Sequence, residues 1–109
     1  MEAARDQAPV CGLCARPARL TRHHLIPRRL HRQARFRRRY GREALRTHVL
    51  MLCSPCHRHV HAVLPERALG EHYSSREALL AHPDIARFVG WLAARPAELS
   101  PRVRRPRRR

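Results

Sequence analysis

The sequence predicts a small α+β fold stapled by zinc, with a C-terminal helical extension and a disordered basic tail. Three observations predict it. Two Cys-x-x-Cys pairs, Cys11/Cys14 and Cys53/Cys56, sit within the first half of a chain of only 109 residues. Two short apolar runs lie between them and read as strands. After the second pair, proline, capping residues and helical spacing of apolar side chains mark a succession of helices. A chain this short builds a core of marginal stability, so a metal staple carries weight.

Residues 1–9 read as a flexible lead-in. Cys11-Gly12-Leu13-Cys14 is a knuckle with glycine at its turn. Leu20 to Ile26 has strand-type apolar residues around a polar centre, and Pro27 stops it. Arg28 to Gly41 lacks an apolar face and is expected to form an exposed basic loop, partly helical at most. Val49 to Leu52 is the second strand, and Cys53-Ser54-Pro55-Cys56 the second knuckle. Ser54 suits the N-cap and Pro55 the first turn of a helix running through Leu64. Pro65 opens a short helix to about His72, and Ser74 with Glu77 has capping-box spacing. Pro83 begins a helix whose Ile85, Phe88, Val89 and Leu92 fall on one face at i, i+3, i+4, i+7, with Trp91 beside them. These divide the chain into a core at 10–64, a helical extension packing on it at 65–95, and a disordered tail at 96–109.

The formal charge is +16, from 24 basic residues, every one of them Arg, against 8 acids. Nine Arg and only Glu43 lie between Arg28 and Arg46, and six Arg with no acid lie between Arg102 and Arg109. The remainder is nearly neutral, so two segments carry the field and the expected partner is a polyanion. DNA is favoured, RNA is the alternative, and no membrane partner is expected. A hydrophobic fraction of 43% excludes a wholly disordered chain. No apolar run approaches the ~20 residues of a membrane span, and the first ten residues lack the apolar stretch of a secretory signal. A cytoplasmic location follows as an expectation.

Four thiols in two knuckles supply a tetrahedral zinc site, Cys11, Cys14, Cys53 and Cys56. A disulfide framework is the rival, disfavoured where no secretory signal is read. The histidines form a second set. His23-His24 ends the first strand, while His57 and His61 are i, i+4 on the helix after the second knuckle and share a face. Three of these four imidazoles can bind one divalent ion while the fourth stays free as a base. His31, His59, His72 and His82 read as surface residues.

The order Cys-x-x-Cys, His-His-Leu-Ile-Pro, apolar strand, Cys-x-x-Cys-His-x-x-x-His resembles the HNH endonucleases with a ββα-metal (His-Me finger) core. It is especially similar to small bacterial members with a zinc-bound Cys-x-x-Cys pair on each side. The resemblance covers about Cys11 to Val63. It implies a metal-dependent endonuclease that hydrolyses phosphodiester bonds, with His24 as general base and His23, His57 and His61 as ligands of a catalytic divalent ion. His48 falls at the family's Asn position, which braces the loop bearing the base; an imidazole can still donate a hydrogen bond there. Ligation by histidine alone suits Zn²⁺, Ni²⁺ or Co²⁺, whereas the resemblance implies Mg²⁺ or Mn²⁺. Arg28, Arg29, Arg32, Arg37, Arg38 and Arg39 follow the base and are expected to meet flanking phosphates. Phe36 and Tyr40 are available either to stack on bases or to pack internally. Two other readings compete: a non-catalytic zinc-containing module that binds DNA or RNA, and a basic structural protein of a nucleoprotein, which has no use for four clustered imidazoles.

Overall fold

The computed structural model describes residues 9–101. It has two strands, β1 (Leu20–His24) and β2 (Val49–Cys53), and six helices. Among these residues no helix is long and apolar enough to cross a membrane.

The first knuckle is a tight loop closed by a bridge between Val10 and Pro17. Inside it the Cys11 N–H donates to the Arg16 carbonyl and the Ala15 N–H to the Cys11 carbonyl, each at 3.0 Å. The left-handed position is Ala15, with φ 65°, and not Gly12. Glycine is needed at 12 for closeness. Its N–H donates to the Met51 carbonyl at 2.8 Å, and a Cβ there would lie 2.7 Å from Leu50 Cδ1.

The strands pair antiparallel, Leu20 opposite Cys53 and His24 opposite Val49. That register sets the second knuckle beside the first. β1 ends two residues before the predicted Ile26, because the chain there turns inward: Leu25 and Ile26 are both buried, and Pro27 follows.

The segment expected to be an exposed loop is instead folded. It contains a 3₁₀ turn (Arg28–Arg32), α1 (Ala34–Tyr40) and α2 (Arg42–Thr47), with Gly41 at φ 82° making the break between the helices. Leu30, Phe36 and Leu45 bury together with Ile26 as a small second core. Each short element contributes one apolar residue, so no helical stripe exists for periodicity to detect. Phe36 is therefore a packing residue, and Tyr40 packs against the same cluster.

The remaining helices are α3 (Ser54–Val63), α4 (Glu66–His72), α5 (Arg76–Ala81) and α6 (Pro83–Ala93). The caps shift by one residue from the sequence reading. Cys53 caps α3, and Ser54 is its first helical residue, accepting from Arg58. Ser75, not Ser74, caps α5 by accepting from the Ala78 N–H at 3.0 Å. His82 caps α6 through its ring, accepting from the Asp84 N–H at 3.1 Å. His59 is likewise no simple surface residue: its ring stacks on Phe88 with centroids 4.1 Å apart. His72, by contrast, is exposed.

The main core joins the four cysteines to Leu52, Val60, Leu64 and the apolar faces of α4, α5 and α6 through Leu69, Leu79, Ile85, Val89 and Leu92. Burying each Leu or Ile stabilises by roughly 1.5–3 kcal/mol, and here that burial ties the C-terminal helices to the knuckles. Residues 96–101 run without helix or strand. Their Pro96 and Leu99 carbonyls accept from the Arg16 guanidinium, the latter at 3.0 Å. The rest of the predicted lead-in and tail, 1–8 and 102–109, lies outside the described residues.

Candidate metal centres and basic cleft

Strand alternation organises the site. In β1, residues two apart share a face, so Thr21 and His23 face α3 while Arg22 and His24 face the helical insertion between the strands.

The cysteine cluster comes together as the spacing predicted. Cys11, Cys14, Cys53 and Cys56 are buried and free, and their sulfurs lie within 4.8 Å of one another. Cys14 and Cys53 sulfurs are 3.8 Å apart, which is the edge of a tetrahedron with metal–sulfur bonds of ~2.3 Å. Four adjacent thiols cannot all ionise without a cation. A hydrogen bond from Cys56 pulls the Cys11 thiol down to about 4 against its burial. The same bond and burial push the Cys56 thiol up, and burial pushes up Cys53. A bound cation removes the conflict, so the donor set fits a structural metal ion. Arg16 adds a compensating charge that sequence reading missed. Its side chain is buried, and although burial works against it, the adjacent Cys14 and Cys53 sulfurs raise its pKa.

In a second cluster, His23, His57 and His61 also bring one ligand atom each within 4.8 Å of the others. Ring centroids are 5.3 Å apart for His23–His57, 5.2 Å for His23–His61 and 5.1 Å for His57–His61. His23 is fully buried, yet neither of its ring nitrogens has a hydrogen-bond partner among the described residues. An unpaired buried polar group costs about 1–3 kcal/mol, and a shared cation between three imidazoles relieves that cost. Burial, reinforced by His61, His57 and His24, drives the His23 pKa down to about 3. Partial desolvation lowers the half-buried His57 and the more exposed His61 as well. All three are held in the neutral form that binds metal.

Thr21 completes this set. Its hydroxyl donates to the Leu52 carbonyl at 3.0 Å and lies 2.7 Å from His57 Nδ1. Because its proton is committed to Leu52, the hydroxyl oxygen accepts from Nδ1–H. The tautomer of His57 is thereby fixed with the Nε2 lone pair free for a metal. The sequence does hold a signal for Thr21, since it stands two residues before His23 on one strand. Glu66 is a second missed neighbour. It lines a cavity of about 590 Å³ with His61 and opposes the lowering of the His61 pKa, while pairing with Arg29 at 3.2 Å.

His24 lies on the opposite side, in a cleft of about 580 Å³ that it shares with His31. Their ring centroids are 6.0 Å apart. His31 is anchored through Nε2 to the Ile26 carbonyl at 2.7 Å, so it is a fixed cleft residue rather than a solvated one. Of the six arginines expected to meet phosphates, Arg28, Arg32 and Arg37 line this cleft. Arg29 turns towards His61. Arg38 and Arg39 are exposed on α1, Arg39 lying over the Tyr40 ring. The His48 imidazole is not against His24; it bonds the Ser74 carbonyl at 2.9 Å. The His48 main-chain carbonyl accepts instead from the Leu25 N–H at 3.0 Å, directly after His24.

No family model matches the chain, and no solved structure matches it. A protein of Bacillus subtilis strain 168, described as the uncharacterized protein YisB, is 34% identical over 96 residues, spanning 87% of this chain and 84% of its own length. At that identity and coverage, the chain belongs to the same family as Bacillus subtilis YisB.

Proposed function

We propose that this chain is an HNH-type endonuclease that hydrolyses phosphodiester bonds of DNA, with His24 as general base. The observation that carries this reading is His23. It is a fully buried imidazole with both nitrogens unpartnered among the described residues, grouped with His57 and His61. The very next residue, His24, opens onto an arginine-lined cleft. Metal-holding and proton-accepting groups thus stand back to back on one strand.

His23, His57 and His61 would hold a single divalent ion, and Cys11, Cys14, Cys53 and Cys56 a structural zinc. When bound, the ion at the histidines supplies charge neutralisation at the phosphate. Three imidazoles favour Zn²⁺ or Ni²⁺ by softness, and Mg²⁺ or Mn²⁺ are the ions implied by the resemblance. His24 takes the proton of the attacking water as its oxygen bonds to phosphorus and the bond from phosphorus to the 3′ oxygen breaks. Burial, with His31, Arg28 and Arg22 around it, holds the His24 pKa below its ordinary value. The ring is therefore neutral at pH 7 and able to accept. Arg28, Arg32 and Arg37 would steady the flanking phosphates. His48 in place of asparagine does not remove the brace on the base, because the main-chain bond to Leu25 supports that turn.

Incubation of the protein with supercoiled plasmid and Mg²⁺, Mn²⁺, Ni²⁺ or Zn²⁺ tests this directly. Wild type nicks or linearises the plasmid, and His24→Ala loses roughly 10²–10⁴-fold in rate. Equal cutting by the variant would overturn the role of His24. Binding without cutting under every ion would instead favour a non-catalytic zinc-containing nucleic-acid-binding module.

A further inference from the structure

The cleft around His24 is built from more of the chain than the basic run after the His-His pair. Arg22 comes from β1, Arg28 and Arg32 from the 3₁₀ turn, Arg37 from α1, and Arg42 and Arg46 from α2. Arg22, Arg42 and Arg46 stand outside the six arginines that the sequence alone points to. The small core of Ile26, Leu30, Phe36 and Leu45 holds these elements together, so six arginines line one hollow although like charges repel. No acidic side chain among the described residues lines it. Glu43, the one acid of the segment, is not in the lining but pairs with Arg46, which is. A cavity of about 580 Å³ is large for a single phosphate and suits a run of them.

What the cleft lacks narrows the ligand. Sites for single strands combine a basic groove with aromatic side chains on which bases stack. Here the one apolar lining residue is Leu45. Phe36 is sealed in the small core, and Tyr40 packs against that core with Arg39 over its ring. No Asn or Gln stands in the lining to pair with adenine edges. Among the described residues the rings in the lining are the His24 and His31 imidazoles, the latter anchored to the Ile26 carbonyl. The arginines recognise phosphate oxygens by bidentate hydrogen bonds, and a duplex offers the higher density of these.

We propose that the cleft formed by Arg22, Arg28, Arg32, Arg37, Arg42 and Arg46 is a backbone-only site for double-stranded nucleic acid, with α2 as its outer wall. This deepens the endonuclease reading and rests on it for the placement of the scissile phosphate near His24. The site binds duplexes of unrelated sequence equally and prefers a duplex to a single strand of the same sequence.

The test is fluorescence anisotropy with short labelled duplexes of two unrelated sequences, and the matching single strands, across a range of salt and without added divalent ion. The Arg42→Gln/Arg46→Gln double variant is compared with wild type and with Arg19→Gln/Arg87→Gln, which removes equal charge from exposed positions outside the cleft. The cleft pair weakens duplex binding by roughly 10–100-fold at about 0.1 M salt and lowers the salt slope by about 2, identically for both sequences. The control pair has less than half that effect. Equal losses in the two double variants, a sequence-dependent loss, or tighter binding of the single strand would each overturn the proposal. Displacement of the duplex by stoichiometric ATP would assign the cleft to a free nucleotide and overturn it as well. Binding is read without cleavage, so a protein that binds as described but never cuts refutes the hydrolytic reading alone. A protein that cuts while Arg42 and Arg46 prove indifferent refutes the cleft alone.

Discussion

Cys53→Ser abolishes cooperative folding of the chain. Cys53 is buried in the main core, follows directly on Leu52 of the paired strand, and brings its sulfur to 3.8 Å from that of Cys14. Structural zinc in small domains contributes roughly 10–16 kcal/mol of apparent binding free energy at neutral pH, whereas entire domains are stable by about 5–15 kcal/mol. Losing one thiolate of four therefore removes a contribution as large as the net stability, and it also leaves three thiols crowded around a hydroxyl. Circular dichroism and thermal melts of wild type, the variant, and wild type with a strong chelator check this. The variant and the chelated protein lose the sharp transition that wild type shows. A variant that is folded and free of metal would show that apolar packing alone suffices.

Thr21→Val weakens divalent-ion binding at the histidines by roughly 10–100-fold while leaving the fold intact. Removing the partner that orients a ligating histidine has this typical size, equivalent to about 1.4–2.7 kcal/mol. Valine matches threonine in shape and suits a strand, so the sheet is retained. What is lost is the acceptor for His57 Nδ1–H, and with it the fixed tautomer that points Nε2 at the ion. Calorimetric titration with Ni²⁺, together with a melting curve, separates the outcomes. Unchanged affinity would mean that Thr21 only braces the strand.

Much of the candidate site was legible because its spacings are local. Cys-x-x-Cys fixes two sulfurs near one point, and i, i+4 on a helix fixes His57 beside His61. The antiparallel pairing that brings the two halves together followed from two apolar runs and the knuckles at their ends. Illegible were the features that depend on register or on contacts between short elements. Arg16 reaches the sulfurs only because the knuckle folds back, and Glu66 reaches the His61 cavity only because Pro65 redirects the chain. The second core was hidden for a similar reason. Ile26, Leu30, Phe36 and Leu45 are unevenly spaced, each carried by a different segment, so a region that reads as a bare run of arginines is in fact a packed insertion. The capping shifts at Ser54 and Ser74 are of the one-residue kind that helix boundaries commonly show. His59 reads as a surface group because its partner Phe88 lies 29 residues further along the chain, and His82 because an imidazole is not among the usual N-cap side chains.

The proposed function requires two separate metal centres, one at the four cysteines and one at His23, His57 and His61. Counting ions per chain, by elemental analysis after Co²⁺ loading with the absorption spectrum as a check on sulfur ligation, tests this most directly. His61 is exposed, so His61→Ala keeps the fold. Wild type is expected to hold two ions per chain and His61→Ala one, with the thiolate-to-cobalt absorption equal in both. One ion in both proteins, or two in both, would contradict a divalent-ion site at His23, His57 and His61.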